Sequence, residues 1–186
     1  MNRLLKFTLI ITIIWLAFTG TGCVGKANGA VASGKVTDYR AAEPAALEKD
    51  KPAPDFQFTR SNGETILLSQ LTGIVVLLNF WAVDCPYCVR EMPLFEQVYQ
   101  QMGDTRLVVL AINTGESETK VTQFLAQRTL NYDIILDPVL YVSTLYEARY
   151  LPTTYIIDKA GNVVAGKIGA FSNAAEITAA IAPYLD

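Results

Sequence analysis

An apolar run of strand length, Ile74 to Trp81 (IVVLLNFW), ends three residues before Cys85-Pro86-Tyr87-Cys88. Only Asn79 interrupts it. Such a run reads as a strand buried on both faces, at the centre of a sheet covered by helices. The next stretch, Pro86 to Met102, carries apolar side chains at Val89, Met92, Leu94, Phe95, Val98 and Met102, and reads as a helix. Pro86 falls at its first position, where a missing N–H costs nothing. Two thiols therefore sit where a central strand hands over to a helix.

The flanking sequence alternates between the two element types. Phe56 to Thr59 and Thr65 to Leu68 are strands around Asn62-Gly63, a strong hairpin signal. Arg106 to Ile112 is a second buried strand, and Glu116 to Arg128 a helix with Val121, Phe124 and Leu125 on one face. A short extended piece follows at Tyr132 to Leu136, and then a helix at Val139 to Arg149. Strands at Thr154 to Asp158 and Asn162 to Ile168 precede a closing amphipathic helix, Asn173 to Tyr184. This order predicts an α/β fold: a mixed central sheet with helices on both faces, preceded by an N-terminal β-hairpin.

Composition removes several chemistries. The 186-residue chain has no histidine, which excludes His-based zinc sites, Ser-His-Asp and Cys-His nucleophile arrangements, and haem ligation by His. Its three cysteines, Cys23, Cys85 and Cys88, make a poor zinc site without further ligands. A net charge of −3 argues against nucleic acid as the main partner, because phosphate binding needs a basic surface. No metal or other cofactor is expected.

The N-terminus reads as an export signal. Arg3 and Lys6 precede an uncharged apolar stretch, Phe7 to Phe18, with small residues after it. That stretch is short for a membrane span, which needs about 20 residues. Continued to Val24 it reaches 18 residues, so an uncleaved anchor stays open. Cys23, after Gly22, resembles the lipidated cysteine of a bacterial lipoprotein, although Gly20 stands where such signals usually carry Leu. A cleaved soluble product is the third reading. All three place the domain outside the cytoplasm. Residues 1–23 are thus read as signal peptide or membrane anchor, residues 24–54 as a flexible linker, and residues 55–186 as the folded domain.

The Cys85-x-x-Cys88 spacing has a mechanism. Unpaired N–H groups and the positive dipole end at a helix start stabilise a thiolate at Cys85. Cys88, one turn on, shares its face, so the two can close a disulfide or split a mixed one. A haem-attachment site would need His where Val89 stands. A structural disulfide would close so short a loop that it contributes only on the order of 2 kcal/mol. A peroxidase nucleophile follows Thr-x-x-Cys, and Ala82 occupies that Thr position.

LLNFWAVDCPYCVREMPLFEQV, followed downstream by YLPTTYIID, resembles the thioredoxin fold, and within it the membrane-tethered TlpA/ResA-like thiol-disulfide oxidoreductases. The resemblance covers roughly Asp55 to Leu185. It implies that Cys85 is the exposed nucleophile and Cys88 the resolving thiol, and that Pro152 is a cis-proline facing the disulfide. It implies that Pro93 kinks the first helix and that Glu91 tunes the cysteines; the plain reading of Glu91 is a solvated helix charge. Asn79 stands where cytoplasmic thioredoxins bury an Asp, as the extracytoplasmic branch often has it. The Pro-Tyr dipeptide also occurs in glutaredoxins, but the export signal and surrounding sequence discount that link.

Asp84 departs from the family pattern, which usually has Trp there. Two charges about 7 Å apart at an effective dielectric near 20 interact by roughly 2.4 kcal/mol, before solvent reduces it. Asp84 and Glu91 are therefore expected to oppose the helix dipole, raise the Cys85 pKa and favour a reducing couple. The resemblance implies disulfide-bearing exported substrates such as the haem-site cysteines of apocytochrome c, and a membrane thiol donor of the CcdA or DsbD kind. Alternatives are a general protein-disulfide reductase or oxidant, and a lipoprotein binding module with an inert disulfide. A monomer is expected. Trp81 and Tyr155 are read as packing, and the polar loop Asn113 to Ser117 (NTGES) is assigned no role.

Overall fold

The computed structural model describes residues 34–36, 48–103 and 105–186. The N-terminal segment read as signal peptide or anchor, and the lipidation read at Cys23, lie outside the described residues. In chain order the elements are β1 (Gly34–Lys35), β2 (Lys51–Pro52), β3 (Gln57–Thr59), β4 (Thr65–Leu67), β5 (Val75–Trp81), α1 (Pro86–Met102), β6 (Leu107–Thr114), α2 (Glu118–Leu125), β7 (Asp133–Asp137), α3 (Tyr141–Leu145), β8 (Thr153–Ile157), β9 (Asn162–Ile168) and α4 (Ala174–Ile181). Among the described residues the main sheet runs β1-β7-β6-β5-β8-β9-β2, and β3-β4 form a separate hairpin. β6 lies parallel to β5, while β8 lies antiparallel on its other side. The sheet is mixed, as expected.

Every residue of β5 is buried, and its period of two sorts them between two cores. Val75, Leu77 and Trp81 face Phe95 and Val98 of α1, Val121 of α2, and Ile177 and Ile181 of α4. Val76, Leu78 and Phe80 face Phe56 and Phe58 beside and within the hairpin, and Val142, Leu145 and Tyr146 of the α3 region. Asn79 has the parity of the α1 side. Register then builds the site: Trp81 pairs with Asn113 at the end of β6, and Phe80 with Thr153 at the start of β8. The end of β5, the loop after β6 and the residues before β8 share one edge of the sheet.

Two expectations change. The stretch read as a flexible linker contributes strands: β1 pairs parallel with β7, and β2 pairs antiparallel with β9. Strands of two residues are too short to show a period. The helix expected over Val139 to Arg149 is only Tyr141–Leu145. Asp137 causes the late start. Its Oδ1 accepts the Tyr141 N–H at 2.8 Å, and its Oδ2 accepts both the N–H and the hydroxyl of Ser143 at 2.8 and 2.7 Å. These bonds hold Leu140 at φ 61°, in the left-handed region, so the helix cannot extend backwards. Glu147, at φ 49°, closes off the other end.

Candidate active site

Cys85 is the N-cap of α1, with extended backbone, and its Sγ accepts the Cys88 backbone N–H at 3.2 Å. One donor that a helix start leaves unpaired is thereby aimed at this sulfur. Cys85 and Cys88 form a disulfide with a Cα–Cα distance of 5.3 Å. The two sulfurs differ in access. Cys88 is 1% exposed, whereas Cys85 is only partly buried. Pro86 occupies the first helical turn and Tyr87 stands exposed beside it.

Pro152 lies at the same sheet edge, preceded by a cis peptide bond from Leu151. Its carbonyl accepts the Gly169 N–H at 2.8 Å. Tyr87, Arg90, Leu94, Leu151, Pro152 and Phe171 line a groove of about 780 Å³. The Arg90 guanidinium lies over the Tyr87 ring, 4.4 Å from its centroid. Motif, cis-proline and groove therefore adjoin, although Cys88 and Pro152 are 64 positions apart in the chain.

Glu91 is not a solvated charge; it is 1% exposed. Its Oε1 accepts from Asn79 Nδ2 at 3.0 Å, and its Oε2 accepts the Phe171 N–H at 3.0 Å. Asn79 also donates to Thr154 Oγ1 at 2.9 Å, so β5, α1, β8 and the turn before α4 meet at this carboxyl. Burial raises its pKa to about 7, against the pull of the Phe171 and Asn79 bonds and of Lys167. Near neutrality Glu91 is about half protonated and is only a partial opponent of the helix dipole. Asp84 is also changed from the expectation. It is exposed, and its Oδ2 bonds Lys120 Nζ at 2.6 Å. The isolated carboxylate expected beside Cys85 is an ion pair.

Sequence reasoning missed Glu116 and Lys120. Glu116 accepts the Val83 N–H and Asn113 Nδ2, both at 2.7 Å, and binds Lys120 at 2.6 Å. The Val83 bond bridges 33 positions of sequence, so no local pattern marks it. Trp81 packs on Phe124, and Tyr155 joins Phe80 and Tyr146, as their packing reading expected. Among the described residues no group of three or more Cys, Asp or Glu could hold a metal ion.

Similar proteins carry the same architecture. Residues 50–165 match the model of the AhpC/TSA family. The thiol-disulfide oxidoreductase ResA of Halalkalibacterium halodurans is 38% identical over 112 residues, which is 60% of this chain and 64% of that protein. The ResA of Bacillus cereus is 33% identical over 128 residues, covering 69% of this chain and 74% of that one. The match thus spans a little under two thirds of the first relative's length and nearly three quarters of the second's. A putative thiol:disulfide interchange protein DsbE from Chlorobium tepidum superposes with a TM-score of 0.69 at 29% identity, over 76% of this chain and all of that one. The exposed lipoprotein thioredoxin of Streptococcus pneumoniae gives 0.62 at 29% identity, over 70% of this chain and 99% of that one. The fold is thioredoxin-like. Matched over a stretch that includes Cys85 and Cys88, the chain belongs to the AhpC/TSA family, among the ResA-type thiol-disulfide oxidoreductases.

Proposed function

We propose that this chain is an exported, membrane-tethered thiol-disulfide oxidoreductase that works as a reductant of protein disulfides. The observation that carries the reading is the asymmetric cysteine pair: one sulfur open at a helix start, its partner buried one turn behind. In the reduced protein the Cys85 thiolate attacks one sulfur of a substrate disulfide. A mixed disulfide forms and the first substrate thiolate leaves. The Cys88 thiolate then attacks Cys85 Sγ, the second substrate thiolate leaves, and the Cys85–Cys88 disulfide closes. Two electrons and two protons pass to the substrate in total. Glu91, titrating near neutrality one turn beyond Cys88, supports proton traffic at the buried thiol.

The groove beside Pro152 is the surface on which a substrate peptide would lie. The substrate we propose is the haem-site cysteine pair of apocytochrome c. Recharging would come from a membrane thiol donor of the CcdA or DsbD kind. The tether would be the N-terminal segment, as an anchor or through a lipid on Cys23. Among the described residues no helix is long and apolar enough to cross a membrane.

The reaction is tested by trapping. A Cys88→Ser variant, reduced and mixed with an oxidised peptide bearing Cys-x-x-Cys-His, should accumulate a mixed disulfide through Cys85. The Cys85→Ser variant should accumulate none. Equal trapping by both variants, or by neither, would overturn the assignment.

A further inference from the structure

The chain that leads from the end of β5 into Cys85 is held from other elements at Trp81, Val83 and Asp84. Thr114 Oγ1 donates to the Trp81 carbonyl at 3.2 Å. Glu116 Oε2 accepts the Val83 N–H at 2.7 Å. Lys120 Nζ, on the first turn of α2, bonds Asp84 Oδ2 at 2.6 Å. Glu116 joins these contacts, because its other oxygen lies 2.6 Å from the same Lys120 ammonium. The end of β6 and the loop after it thus hold Trp81 and Val83 on the way to Cys85, and α2 supplies the counter-charge to Asp84.

We propose that Lys120 is a positioning residue for Cys85. Held by Glu116, it pairs with the carboxylate of Asp84 and offsets that charge next to the nucleophile. The proposal rests on Cys85 being the attacking thiol. Asp84 directly precedes that residue, so an unpaired carboxylate there would resist formation of the thiolate. The ion pair itself is shallow, with Asp84 79% exposed and Lys120 38%. Such a pair adds little to folding, so its effect belongs to the neighbouring thiol rather than to stability. Glu116 is better sheltered, at 11%, and bonds Val83 and Asn113 as well. It fixes where the ammonium stands. The two acidic groups hold the Lys120 ammonium above its usual range, the Asp84 bond contributing most.

Other charged groups around the start of α1 stay constant in the test. Arg90 and Glu91 come from α1 itself, and Glu116 from the loop before α2. Lys167 of β9 and Glu176 of α4 pair at 3.0 Å and act on Glu91.

The test is the pH dependence of Cys85 alkylation by iodoacetamide in the reduced full-length protein, across Lys120→Met, Asp84→Asn and the double variant. Lys120→Met should raise the Cys85 pKa by roughly half a unit or more, which is about a threefold loss of thiolate at a pH below it. In the Asp84→Asn background the same substitution should shift it clearly less. Lys120→Arg should keep the parent value. An unchanged pKa in Lys120→Met, or an equal shift with and without Asp84, would overturn the proposal. Alkylation that falls on Cys88 instead of Cys85 would overturn the underlying assignment of the nucleophile, and is read separately by peptide mapping.

Discussion

At the scale of single residues, Glu91 is the group whose chemistry is most altered by the fold. Its pKa stands near 7 in the folded protein and near the ordinary 4.5 when unfolded. The folded state therefore holds the proton more tightly. Its contribution to stability is full below about pH 4.5 and is lost as pH rises through about 7, on the order of 3 kcal/mol over that window. Glu91→Gln should flatten this part of the stability curve, measured by urea unfolding at a series of pH values. A parent curve already flat between pH 4.5 and 7 would contradict the buried carboxyl. The same residue shows how far the sequence reaches. Its position three residues after Cys88 was legible, but its burial was not, because that depends on Asn79 and Phe171 closing over it from other elements. Asp84 was legible as a departure from the family pattern, while its pairing with Lys120 came from 36 positions away.

At the scale of elements, β5 and α1 were readable because each carries its own pattern: a continuous apolar run, and a 3.6-residue period opened by a proline. α1 runs over Pro86–Met102, the span its pattern predicts. α3 was readable as a helix but its start was not, because that boundary is decided by Asp137, four residues before the helix starts and read as part of no element. That carboxylate gives a prediction of its own. Asp137→Ala leaves the N–H groups of Tyr141 and Ser143 without their acceptor in a buried place, where each lost partner costs roughly 1–3 kcal/mol. The variant should lose at least about 2 kcal/mol, read as a lower urea midpoint with unchanged slope. A loss below about 0.5 kcal/mol would show that α3 starts without this cap. In the larger core, Phe95, 1% exposed and edge-on to Phe171, ties α1 to the turn before α4. Phe95→Ala should cost about 3–5 kcal/mol by the same measurement.

At the scale of the whole molecule, the layer order was legible from alternation alone, whereas the sheet's outer edges were not. Two-residue strands at Gly34–Lys35 and Lys51–Pro52 carry no periodic signal, and only pairing with β7 and β9 makes them visible. Register explains why the site assembles. β5 pairs with β6 and β8 so that the disulfide, the loop after β6 and Pro152 meet at one edge. What this edge does depends on how firmly the two sulfurs hold their bond. The central claim is that the pair gives electrons to its targets. It is tested most directly by the reduction potential of the Cys85–Cys88 couple in the full-length protein, equilibrated against defined thiol buffers. The account predicts a value near or below about −270 mV, in the range of a thioredoxin. A value near about −120 mV would contradict it and make the protein an oxidant.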